Sequence, residues 1–171
     1  MAEIKLLIAD DDPNECETLS DIFQEKGYSV ATACTGNEAI DKVKKTEFNV
    51  ALIDIRLPDM DGVALLKEFK TLHPGMVCII ITGYAALQNA VSALKEGANG
   101  YFSKPLIIDE VILRVEEALD KQHLQRELRE SEEKYSTLVE SSKDGIIMIQ
   151  DGVLKFINTA ATELVGYSIE E

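Results

Sequence analysis

The chain has 171 residues, room for one full domain and part of a second. Its 31 acidic and 17 basic residues leave a formal charge of -14, which would repel a phosphate backbone and argues against a nucleic-acid binder. Apolar residues make up 46%, enough for a packed core and too many for a disordered acidic tail. No apolar run approaches the roughly 18 residues of a membrane span. The run at 4–9 passes directly into Asp10-Asp11-Asp12, which excludes a signal peptide. Cys16, Cys34 and Cys78 are odd in number and lack CxxC spacing, and His73 and His123 are isolated, so neither a disulfide framework nor a zinc site is expected. The chain reads as cytoplasmic and reduced, with no membrane partner.

Five short apolar runs, at 4–9, 28–33, 50–53, 77–81 and 100–102, predict strands. The first, third and fourth are nearly continuous hydrophobes, the pattern of strands buried on both faces of a parallel sheet. Helical spacing fills the intervals. Residues 15–26 carry Cys16, Leu19, Ile22 and Phe23 on one stripe and stop at Gly27, and 37–45 carry Ala39, Ile40 and Val43. Residues 62–72 carry Val63, Leu65, Leu66 and Phe69, 87–96 stop at Gly97, and 109–120 close the series. Five βα repeats predict an α/β domain, a doubly wound five-stranded parallel sheet over residues 1–120.

From 121 to 142 there is no glycine or proline and charge dominates. Leu124, Leu128, Ser131, Tyr135 and Leu138 alternate in steps of four and three, an a/d seam that predicts a helical linker able to form a coiled-coil homodimer. Beyond Lys143, the runs 146–149 and 153–157 flank Asp151-Gly152, a turn whose glycine supplies positive φ, and predict a β-hairpin. A short helix at 158–165 follows. Two strands and one short helix cannot bury a core alone, so 143–171 reads as the front of a domain cut short.

In an open parallel sheet, ligands gather at the carboxyl ends of the strands. Those ends deliver Asp10 and Asp11 from the first strand, Asp54 from the third, Thr82 from the fourth and Lys104 from the fifth. Carboxylates this close either hold a proton or recruit a cation, and oxygen-only donors suit Mg2+. A carboxylate beside such an ion can attack a phosphoryl group, with the lysine and the hydroxyl steadying the transferred oxygens. An aspartate at a strand end is on its own a helix cap or turn former; the convergence of three of them with a threonine and a lysine is what points to chemistry.

The stretches Leu7-Ile8-Ala9-Asp10-Asp11-Asp12, Leu52-Ile53-Asp54-Ile55-Arg56-Leu57-Pro58-Asp59-Met60-Asp61-Gly62, Ile81-Thr82-Gly83-Tyr84 and Gly100-Tyr101-Phe102-Ser103-Lys104-Pro105 resemble the receiver domain of response regulators. The resemblance implies a flavodoxin-like, CheY-like fold and a two-component phosphorelay, with a sensor histidine kinase as phosphodonor. It implies Asp54 as phosphoacceptor, and Mg2+ on Asp11, Asp54 and the backbone carbonyl of Arg56, with Asp10 holding a water of the ion. Lys104 would contact the phosphoryl group, and its bond to Pro105 would be cis. Thr82 and Tyr101 would form the switch, and Arg56 and Tyr84 would tune hydrolysis. Such a receiver promotes its own phosphorylation and dephosphorylation, and no output enzyme is visible.

Residues from about 130 onward resemble the start of a PAS sensor domain, through Tyr135-Ser136-Thr137-Leu138-Val139-Glu140, Asp144-Gly145-Ile146-Ile147, Asp151-Gly152, Asn158-Thr159-Ala160-Ala161 and Leu164-Val165-Gly166-Tyr167-Ser168. His123 lacks the acidic residue and proline that follow a kinase phosphoacceptor histidine. Two competing readings remain at this level: a haloacid-dehalogenase-like phosphatase using Asp10 and Asp12, and a pseudo-receiver that binds partners without phosphorylation.

Overall fold

The computed structural model describes residues 3–83 and 87–165. Two compact units meet in sequence at Gln122/His123. The first holds β1 (Lys5–Ala9), β2 (Ser29–Ala33), β3 (Val50–Asp54), β4 (Val77–Thr82) and β5 (Gly100–Ser103) in one parallel sheet of order β2-β1-β3-β4-β5. The helices are α1 (Pro13–Glu25), α2 (Gly36–Lys45), α3 (Gly62–Leu72), α4 (Leu87–Lys95) and the start of α5 (Ile108–Glu140).

The sheet is covered on both faces, as its unbroken apolar strands require. Leu7, Ala9, Ala51, Ile53, Cys78 and Ile80 pack against Ala39 and Val43 of α2, Leu65, Leu66 and Phe69 of α3, and Ala93 of α4. The alternate residues Leu6, Ile8, Val50, Leu52, Val77, Ile79 and Ile81 pack against Cys16, Leu19 and Phe23 of α1 and Val111, Ile112 and Val115 of α5. Period-two alternation therefore sends successive side chains into two separate cores.

Short polar residues fix where the helices begin. Asp12 accepts the Asn14 N–H at 2.9 Å with Pro13 in the first turn of α1, and Asp61 accepts the Val63 N–H at 2.7 Å at the start of α3. Thr35 caps α2 through the Glu38 N–H, and Glu38 reaches back to the Cys34 N–H at 2.9 Å. Gly27 ends the α1 turn at φ +88.

In the second unit, β6 (Ile147–Gln150) and β7 (Val153–Ile157) form the anticipated hairpin, followed by α6 (Thr159–Val165). Asp151 (φ 51) and Gly152 (φ 74) both adopt the positive φ of a two-residue hairpin turn. The fully buried Asn158 organises this unit. Its Oδ1 accepts from Ile146 N–H at 2.8 Å and Ala161 N–H at 3.0 Å, and its Nδ2 donates to the Val139 carbonyl at 3.0 Å and the Asp144 carbonyl at 2.9 Å. Residues 109–120 and the linker that follows are one helix, α5, because nothing in 108–140 breaks the backbone ladder. Among the described residues no helix is long and apolar enough to cross a membrane.

Candidate functional site

Placing β1 next to β3 at the centre of the sheet brings the end of one strand beside the end of the other, the position at which doubly wound sheets bind ligands. Asp10, immediately after β1, and Asp54, the last residue of β3, are both buried, whereas Asp11 is exposed. Each of the three offers a carboxylate oxygen within 4.8 Å of the others.

Backbone and lysine fix the two buried carboxylates. Asp10 Oδ1 accepts the Asp12 N–H and Asp54 Oδ1 accepts the Arg56 N–H, both at 2.9 Å. Lys104, just past β5, donates to Asp10 Oδ2 at 2.8 Å and to Asp54 Oδ2 at 2.9 Å, and also pairs with the Glu15 carboxylate of α1. Burial raises the Asp10 carboxyl above its ordinary range and outweighs the opposing pull of Lys104. Burial alone would lower Lys104, but its bonds to Asp10, Glu15 and Asp54 together raise it, so the ammonium stays charged at neutral pH.

Thr82 is buried at the end of β4, and its carbonyl accepts the Lys104 N–H at 2.8 Å, tying lysine and threonine to one rim. Tyr101 lies half-buried on β5 against the α2–α4 core, and its hydroxyl is buried with no hydrogen-bond partner among the described residues. Burial raises its pKa. The Lys104-Pro105 peptide is cis, as the family resemblance implies. Tyr84 lies outside the described residues.

Two neighbours are held by the turn after β3. Arg56 pairs with Asp61 in an isolated bridge, and the Gly62 N–H donates to the Ile55 carbonyl at 2.8 Å, so α3 starts directly against the strand end that carries Asp54. Asp59 spans the Gly36 and Asn37 N–H groups at 2.8 and 2.9 Å, a carboxylate clamp on the start of α2. Asp12, half of the phosphatase pair considered above, spends its carboxylate as the α1 cap.

The donor set fits a hard divalent ion. Its three side-chain donors, Asp10, Asp11 and Asp54, are all carboxylates. Sequence reasoning placed Asp10, Asp11, Asp54, Thr82 and Lys104 at one rim, and the structure puts them there. It missed Glu15, whose spacing from Asp12 reads as local helix capping, and Asp59, whose partners on α2 lie 22 and 23 positions away.

Comparison with known proteins agrees. The family model for the response regulator receiver domain matches residues 6–116, and one for a PAS domain matches 133–171. The transcriptional regulatory protein ZraR of Escherichia coli K12 is 40% identical over 120 residues, covering 70% of this chain and 27% of ZraR. The chain thus spans about a quarter of that relative's length. A CheY-like receiver domain from Methanospirillum hungatei superposes with a TM-score of 0.70 at 39% identity, covering 72% of this chain and 99% of that one. The beryllofluoride-activated NtrC4 receiver domain dimer gives 0.66 at 35% identity, with coverages of 69% and 98%.

Proposed function

Since the chain belongs to the response regulator receiver family, we propose that it is the phosphoacceptor switch of a two-component phosphorelay, with Asp54 as the acceptor. The observation that carries this reading is Lys104 bridging Asp10 and Asp54, with Asp11 beside them, at the sheet's switch point. Neither the phosphatase nor the silent pseudo-receiver is favoured.

An Asp54 oxygen attacks the phosphorus of a phosphohistidine on a sensor kinase. The new O–P bond forms as the P–N bond breaks, and the imidazole leaves with the electron pair and takes up a proton. Asp10, Asp11, Asp54 and the Arg56 carbonyl would hold Mg2+, which supplies neutralising charge to the phosphoryl oxygens. Lys104 adds a second positive charge, reaching those oxygens after it releases Asp54. The Arg56 N–H keeps Asp54 aimed at the open rim. Thr82 then turns its hydroxyl to the phosphoryl group, and Tyr101 follows into the vacated space, which biases a two-state surface. Arg56 and Tyr84 set access of water to the acyl phosphate. The receiver does no other chemistry in this reading; its role is signalling.

We assign 1–120 to the receiver, 121–142 to a linker and 143–171 to the beginning of a PAS domain. Leu124, Leu128, Tyr135 and Leu138 are each more than half exposed. The pairs Arg126–Glu130 and Arg129–Glu133 place their charges off that seam, and His123 is tied to Glu127. A second copy is the occupant this seam fits. Sedimentation of the full chain against one ending at Asp120 tests it: a dimer and a monomer are expected, and two monomers would refute the coiled coil.

The test of the central reading is intact mass after incubation with Mg2+ and a small phosphodonor. An adduct of about 80 Da that requires Mg2+ and is absent in Asp54→Asn is expected. An adduct that survives the substitution would move the nucleophile elsewhere.

A further inference from the structure

Local rules give Glu15 a different role from the one it has. It stands three residues after the cap Asp12, the spacing at which an acidic side chain turns back to the cap's N–H. That N–H is already bonded to Asp10 Oδ1 at 2.9 Å. The Glu15 carboxylate closes instead on Lys104.

An ammonium has three donors, and in Lys104 they meet Asp10, Asp54 and Glu15. The first two are buried and belong to the cation and phosphoryl site; Glu15 is more exposed and lies outside the three-carboxylate cluster. A cleft of about 310 Å³ opens beside Lys104, lined by Glu15, Thr18, Leu19 and Pro105, and gives the ammonium room to turn toward α1.

We propose that Glu15 is the positioning residue for Lys104, supplying the counter-charge that lets its ammonium leave Asp10 and Asp54 when a divalent cation takes those oxygens. This rests on the reading of Asp10, Asp11 and Asp54 as the Mg2+ site. Were Lys104 to stay, it would repel the incoming ion. Were it to leave without Glu15, a largely buried ammonium would lose its charge partners, which water replaces poorly there. Glu15 removes that choice, and later leaves Lys104 within reach of the phosphoryl group.

The experiment is a double-mutant cycle on the full chain, read by calorimetric titration with MgCl2 at 0.15 M salt. Glu15→Gln is expected to weaken Mg2+ binding about three- to tenfold, in the range for residues sharing one charge network. In a Lys104→Met background the same change should cost less than about 1.5-fold, because additivity returns once the shared partner is gone. Glu17→Gln, an exposed charge on the same helix, should leave affinity unchanged. An equal loss in both backgrounds would make Glu15 a through-space charge only, and would overturn the proposal, as would no loss at all. A wild-type chain that binds no Mg2+ would instead overturn the metal reading on which the proposal stands. A second measurement avoids Lys104→Met: the Lys104 side-chain NMR signals. Glu15→Gln should shift them more with Mg2+ present than without, and equal shifts in the two states would count against the proposal.

Discussion

Gly62 is the residue at which a single methyl group should reach the site through the backbone. A Cβ there would lie 2.2 Å from the Asp54 carbonyl oxygen, 2.8 Å from Ile55 Cα and 3.0 Å from the Asp54 carbonyl carbon. Relief to ordinary contact, about 3.3–3.5 Å, needs a separation of roughly 1 Å, and every atom in the way is backbone. β3 cannot yield readily, because it is paired on both sides and buried throughout. The start of α3 must move, straining the Gly62 N–H bond to Ile55 and dragging Leu65, Leu66 and Phe69 from their seats. Overpacking of this kind costs about 1–3 kcal/mol, against at most about 1 kcal/mol returned by alanine's helix propensity. Gly62→Ala is therefore expected to lose about 1–2 kcal/mol in urea denaturation and to weaken Mg2+ binding, since the turn that carries the Arg56 carbonyl away from Asp54 is anchored on the displaced start of α3 through Ile55 and Asp61. Gly27→Ala is the control. It has φ +88 and nothing within 4 Å of a built Cβ, so its cost is conformational, about 1 kcal/mol, and Mg2+ binding should be untouched. A Gly62→Ala chain within about 0.5 kcal/mol of wild type, the range of a featureless surface substitution, and with unchanged Mg2+ affinity would refute the argument.

Three further outcomes are expected. Backbone N–H bonds from Asn37 and Gly36 hold the Asp59 carboxyl below its ordinary range. Its contribution to stability is therefore complete above the unfolded value near 3.8 and lost as pH falls through the folded one. Thermal unfolding from pH 7 to 3 should show Asp59→Asn less stable at neutral pH and converging with wild type in acid; a gap independent of pH would show that the charge is not involved. Thiol alkylation at pH 8 should modify exposed Cys34 first, because burial pushes Cys16 to about 11 and Cys78 to about 12. Equal rates at two or three cysteines by peptide mass mapping would contradict the packing described. Asn158→Ala would strand four hydrogen-bond partners at the base of the hairpin, of which the Ala161 N–H is buried and the other three lie in part-buried bonds, and a buried group left unpaired costs about 1–3 kcal/mol. Hydrogen exchange at 147–157 should rise sharply while the five-stranded sheet stays protected, and unchanged protection of the hairpin would rule out that role.

Much of the fold was legible because burial on both faces leaves an unbroken apolar run, and β1, β3 and β4 show it within four to six residues. The same local character revealed the Asp-Gly turn and the α3 limits. Element ends shifted by a residue or two where side chains take over from backbone: α1 begins at Pro13 because Asp12 caps it, and β5 extends to Ser103 through its pairing with Thr82. The a/d seam after 120 predicted a helical linker, and α5 runs on through it to Glu140, since a helix ends only where its ladder is interrupted or its residues are needed elsewhere.

By itself, the sequence determined the strand and helix order and, through the rule that strand ends collect ligands, the membership of Asp10, Asp11, Asp54, Thr82 and Lys104 in one site. The tertiary structure alone decided how those groups are shared. Glu15 carries the spacing of a cap partner, but a cap N–H serves only if it is free, and Asp10 had taken the one Glu15 would use; Asp59 finds its N–H partners 22 and 23 positions away, on α2. Hydrogen-bond partners are chosen among everything within about 3 Å in space, and Lys104 reaches Asp10 across 94 positions of chain, far beyond any spacing rule.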